Sequence, residues 1–153
     1  MRNKRNLKVE QLDKKIQSFI GTEKIIVPDK GWINTIRTSI NMTLEQLGNK
    51  LNVTRQGAKK MEDSESKGTI SLTAMKEIGH VLNMHFVYGF VPIQGSIDKL
   101  IQIKAEELAK KIVLRTNQNM KLENQGNSEE QINKAIIDLT YDLKQELSKS
   151  LWD

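Results

Sequence analysis

No cysteine occurs among the 153 residues, and proline occurs only twice. The missing thiols exclude disulfides, thiolate nucleophiles and every cysteine-ligated metal site. Aromatic residues are scarce at 5%, and the mean hydropathy is −0.52. No apolar run approaches the roughly 18 residues that a membrane-spanning helix needs, so no membrane partner is expected. Histidine is limited to His80 and His85, neither with a carboxylate or thiol at ligand spacing, and the glycines form no phosphate-binding loop. No nucleophile–base pair emerges either. These residues point away from an enzyme and imply neither a metal nor a cofactor. The opening MRNKRNLKVEQLDKKI is basic but has no apolar core or cleavage site behind it, so a cytoplasmic protein is expected.

Charge, in contrast, is plentiful and uneven. Residues 1–68 hold 14 Lys and Arg against 8 Asp and Glu, whereas residues 69–153 hold 10 against 11, which accounts for the net +5. A basic half calls for an anionic partner. Nucleic acid comes before membrane, because no basic amphipathic helix carries aromatic anchors.

Apolar spacing predicts a helix over 5–20, with Leu7, Leu12, Ile16 and Phe19 or Ile20 on one stripe and Gly21 as its stop. After a connector, a second helix over 30–40 is expected to bury Trp32 or Ile33 with Ile36 and Ile40. Thr43 and Gln46 have capping-box spacing, so a third helix starts there and runs to Leu51. A fourth spans 54–63, and past Gly68 either Thr69 or Ser71 opens a fifth, with Leu72, Met75, Ile78 and Leu82 spaced for burial. MHFVYGFV (84–91), rich in aromatic and β-branched residues and ended by Pro92, reads as a short strand. A long helix from Ser96 to Glu123, a turn at 124–127 and a last helix opened by Ser128 and Gln131 follow. The last helix carries a seam of Ile132, Ile136, Leu139, Leu143 and Leu147, matched by Leu100, Ile101, Leu108 and Ile112 on the long one.

The stretch MTLEQLGNKLNVTRQGAKKMED (42–63) is the most informative. Two short helices joined by so brief a turn must cross steeply, as in a helix-turn-helix. Leu47, Leu51, Val53, Ala58 and Met61 supply the interior of the pair, and Gly48 sits at the closest approach. Asn52 takes the turn, where a left-handed backbone is tolerated, and Thr54 can cap the second helix. That helix then presents Arg55, Gln56, Lys59 and Lys60 outward. First-turn residues of such a helix reach base edges in the major groove, where Arg can bridge guanine O6 and N7 and Gln can pair with adenine N6 and N7. Thr54 and Lys59 are expected to assist, and Lys60 and Lys50 to hold phosphates. Gly57 serves either close approach to DNA or a tight packing contact. Glu62 is expected to turn inward, toward Arg37.

The segment GWINTIRTSINMTLEQLGNKLNVTRQGAKKMEDSESKGTISL (31–72) resembles the Xre or lambda-repressor-like helix-turn-helix superfamily. More narrowly, the chain resembles the bacterial family called mobile mystery protein A. That likeness extends to EQLDKK (10–15), PDKGWI (28–33), SESKGTISL (64–72), FVYGFVP (86–92) and LWD (151–153), nearly the whole chain. The resemblance implies a mainly α fold with a lambda-repressor-like five-helix core, and a sequence-specific transcription regulator. It also implies a gene in a mobile element beside a Fic/Doc-domain toxin, with this protein as the antitoxin-like half. Two positions depart from the superfamily pattern: Leu44 and Arg55 stand where many members have Gln. The resemblance therefore implies a different preferred DNA sequence.

Three segments are expected: a basic arm and helix at 1–28, the DNA-binding domain with its strand at 29–92, and a helical hairpin at 93–153. Arg2, Lys4 and Arg5 could enter a neighbouring groove of double-stranded DNA. One helix-turn-helix covers about half an operator, so a homodimer is expected. The strand either pairs with a second copy or with KIIV (24–27). The hairpin either closes on itself or docks a partner, and Trp152 is either tucked into it or offered outward. An inhibitor of a Fic-domain toxin, acting through these C-terminal helices, is the second function the sequence allows.

Overall fold

A computed structural model describes residues 4–122 and 128–153. Among them the secondary structure is helical: α1 (Lys4–Ile16), α2 (Gly31–Ser39), α3 (Leu44–Leu51), α4 (Arg55–Lys67), α5 (Leu72–Val81), α6 (Ile97–Leu122) and α7 (Glu129–Glu146). Short 3-10 turns stand at Gln17–Phe19, Thr22–Lys24 and Lys149–Trp152. The chain forms two compact units, residues 24–88 and residues 1–23 with 89–153. No described helix is long and apolar enough to cross a membrane. Arg2 of the expected arm and the turn at 124–127 lie outside the described residues.

In the unit of residues 24–88, Ile33, Leu47, Ala58, Ile78 and Leu82 form the buried core, with Leu51, Val53 and Met61 packed against it. The choice left open on α2 falls to Ile33; Trp32 stays 38% exposed and Ile40 lies outside as well. Two carboxylates of α4 explain that rotation. Glu65 accepts from the backbone N–H groups of Trp32 (2.7 Å) and Ile33 (2.8 Å), occupying the start of α2. Gly31 there has φ +85°, and a Cβ on it would lie 2.7 Å from the Glu65 carboxylate, so both space and backbone favour glycine. One turn earlier on α4, Glu62 is buried and paired with Arg37 of α2 through Nε, with Nη2 at 3.3 Å. Asn34 Nδ2 donates to the same carboxylate at 3.1 Å, and Arg37 Nη1 donates to the Met42 carbonyl at 2.8 Å. Every buried charge here has a partner, the condition under which such a pair is tolerated.

No strand occurs among the described residues, which corrects the reading of 84–91. After Asn83, in the left-handed region at φ 57°, residues 84–92 run without helical or ladder structure, and KIIV (24–27) does not pair with them. Composition alone marks a segment able to be extended; a ladder needs a partner strand, and none occurs among the described residues.

In the other unit, α6 and α7 run antiparallel. Ile101, near the start of α6, shares a core with Leu143, near the end of α7, and Lys144 Nζ lies 3.2 Å from Asp98 Oδ2. The α7 seam enters this core through Ile136, Leu139, Leu143 and Leu147, and of the expected α6 stripe Ile101 and Leu108 do so. Ala105 and Ala109, which the apolar spacing did not single out, are fully buried in the same core, whereas Ile112 is exposed. Small residues at the contact let helix axes approach closely. Leu151 is buried in the same core and Trp152 is 53% exposed, so the leucine rather than the tryptophan anchors the last turn.

The helix α1, which the three-segment division set apart with the arm, packs in this unit. Lys4 and Arg5 form its first residues rather than an extended arm. Its inward face is Val9 and Asp13, not the stripe of Leu7 and Leu12, which are exposed. The Asp13 carboxylate accepts from the backbone N–H of Ile97 (2.7 Å) and Asp98 (3.1 Å), capping α6 from a distant helix.

Candidate nucleic-acid interface

The α3–α4 pair owes its geometry to four local devices. Thr43 and Gln46 form a reciprocal capping box: Gln46 N–H donates to Thr43 Oγ1 (3.0 Å) and Thr43 N–H to Gln46 Oε1 (2.8 Å). Asn52 ends α3 in the left-handed conformation, φ 57° and ψ 38°. Val53 N–H then donates to the Gly48 carbonyl at 2.9 Å, folding the chain back on α3. Gly48 is buried under that turn, and a Cβ on it would lie 2.8 Å from the Val53 carbonyl oxygen and 3.0 Å from that of Thr54. Finally, Thr54 Oγ1 accepts from Gly57 N–H at 3.0 Å and starts α4.

That cap also bears on Gly57. A Cβ there would meet Val53 Cβ at 3.2 Å and Thr54 Oγ1 at 3.3 Å, so the glycine relieves crowding within the turn itself.

With the helix pair fixed this way, Arg55, Gln56, Lys59 and Lys60 are exposed and line one open groove of about 460 Å³. Lys67 and Thr69 complete its far end, and Leu44 its near wall. Thr54 stands at the head of α4 with its hydroxyl oxygen engaged as the cap. Lys50 does not join this group. It lines a separate concavity with Asn52, Lys76 and His80, in the last turn of α3, where a cation complements the helix C-terminus.

Sequence reasoning missed Lys67 because it ended the helix near residue 63. The α4 helix continues to Lys67 and closes on Gly68 at φ 76°, with Thr69 N–H donating to the Ser64 carbonyl at 2.8 Å. Gly68 was the available signal, since glycine is the commonest residue just past a helix end. Extending the helix to it brings out a stripe at steps of four: Arg55, Lys59, Asp63, Lys67.

The chemistry of this face is cationic and rich in donors. Arg55, Lys59, Lys60 and Lys67 are cations, Gln56 is an amide with two donors and an acceptor, and Asp63 is the only acid among the described residues that line the groove. Neither histidine takes part: both are exposed and lie elsewhere, and no cluster able to hold a metal ion occurs among the described residues. Comparison with models of known protein families, with curated proteins and with solved structures finds no match to this chain.

Proposed function

We propose that the protein is a sequence-specific DNA-binding regulator of the helix-turn-helix type, whose reading helix is α4. One observation carries this reading. The turn at 52–54 and the buried Gly48 aim the start of α4 outward, and its exposed first turn bears Arg55 and Gln56, the two side chains best suited to purine edges. Lys59, Lys60 and Lys67 follow along the same groove, at positions suited to phosphate. Thr54 serves as the cap that orients the first turn, and Lys50 as a flanking cation. The resemblance to the lambda-repressor-like superfamily, and to mobile mystery protein A within it, supports the same reading of a cytoplasmic autorepressor.

A homodimer belongs to this proposal. The irregular segment 84–92 has no ladder partner among the described residues and exposes Val87 and Phe90, so a second copy can pair with it about a two-fold axis. A second function, neutralising a Fic/Doc-domain toxin as an antitoxin-like partner, is favoured by the apolar side chains that α7 leaves outward, Ile137 and Tyr141, and by Trp152.

A reporter fused to the region upstream of the protein's own gene tests the regulator reading. Repression by the wild type, lost on joint substitution Arg55→Ala and Gln56→Ala with protein level unchanged, is the expected result. Equal reporter output with and without the wild-type protein would contradict autorepression.

A further inference from the structure

Three acids punctuate the second half of α4, and their environments differ. Glu62 is buried against Arg37, and Glu65 accepts the first N–H groups of α2. Asp63 alone turns to the basic groove, its side chain half exposed and its Oδ1 3.1 Å from Lys59 Nζ. The two acids that face inward do structural tasks that a neutral side chain would perform poorly. Asp63 does none that the fold requires, because an exposed pair one helical turn apart contributes little to stability. Yet it places a negative charge in a groove whose other charged lining residues are cations.

We propose that Asp63 is a specificity-determining residue of this face, acting against DNA of arbitrary sequence; the proposal rests on the DNA-binding reading of the same groove. Loose complexes on arbitrary DNA are held by charge alone, with α4 free to slide and the phosphates unpositioned. In such complexes Lys59 stays on Asp63, contributes no counterion release, and the carboxylate opposes the phosphates near it. On a preferred sequence, base contacts from Arg55 and Gln56 fix the register and depth of α4. Lys59 is then drawn from the carboxylate to a phosphate held at a definite place, and Asp63 is left facing solvent. The ion pair thus removes one cation from indiscriminate binding and returns it where the sequence fits. Discrimination through a repulsive element of this kind is a general route to specificity.

The test uses the full chain and two fluorescent duplexes, one recovered by selection from randomised DNA and one with its sequence scrambled. Asp63→Asn is expected to tighten binding to the scrambled duplex about two- to fivefold and to steepen its salt dependence by about one phosphate's share, near 0.9 in the logarithmic slope. Binding to the selected duplex is expected to tighten less, so the ratio between the two narrows. Glu107→Gln is the matched control: it removes one charge from another exposed pair, with Lys104 at 3.2 Å on α6. Equal tightening on both duplexes, no change on the scrambled one, or the same shift from Glu107→Gln would each overturn the role of Asp63. If no sequence is enriched and the wild type binds both duplexes alike, the DNA reading itself fails, and this proposal with it.

Discussion

Glu62 and Asp63 are neighbours in sequence with opposite fates, and the contrast defines what single residues do here. Glu62 is 2% exposed and joins α2 to α4 through Arg37 and Asn34. Removing one partner of a buried pair leaves an uncompensated charge, so Glu62→Ala is expected to cost about 3–5 kcal/mol of folding free energy in a urea titration. A loss below about 1 kcal/mol, the range of exposed pairs, would contradict the burial. Arg55 belongs to the opposite class. Being exposed, it can change to Ala with little effect on the urea midpoint, while a lost bidentate base contact weakens binding to a preferred duplex by about 1–3 kcal/mol. Binding to a scrambled duplex changes much less. The inward turn of Glu62 toward Arg37 was readable from sequence, because an acid amid the apolar positions of a helix pair needs a cation. The role of Glu65 was not readable, since it depends on where α2 begins relative to α4.

At the scale of elements, the helix pair 44–67 shows how local signals set a tertiary angle. The cap at Thr43, the small residue at 48, the left-handed Asn52 and the cap at Thr54 all act within a few residues of one another. That is why this part was legible in advance. Gly48→Val tests it: side-chain atoms would have to displace the backbone carbonyls of residues 53 and 54, so a loss of about 1–3 kcal/mol or more is expected, with DNA binding falling alongside. Unchanged stability by differential scanning calorimetry would contradict the close approach. The face of α1 was not legible, because two long-range contacts decide it. Asp13 caps α6, and Asn6 Nδ2 lies 3.5 Å from Gln145 Oε1 of α7. Apolar periodicity in a weakly amphipathic helix does not reveal such polar docking. Residues 84–92 failed for another reason: β-branched and aromatic composition marks a tendency, and only a partner makes it a strand.

For the whole molecule, the questions are charge and copy number. Two units, each with its own core, are consistent with separating the reading of DNA from assembly or partner binding. If the segment 84–92 joins two copies, sedimentation equilibrium is expected to give twice the 17.5 kDa of one chain. Phe90→Asp, at a side chain 87% exposed in the single chain, would then shift the mass toward one copy without lowering the urea midpoint of the monomer. A monomer in the wild type at all concentrations would contradict the dimer. The central claim, that the α4 face reads duplex sequence, is tested most directly by selecting duplexes from randomised DNA and measuring affinity for the recovered and scrambled sequences at two salt concentrations. The expected result is a preference of about 10³-fold or more, with both affinities falling steeply as salt rises. Weak, equal binding to both duplexes would mean that the groove of Arg55, Gln56, Lys59 and Lys60 is merely basic, and would contradict the account.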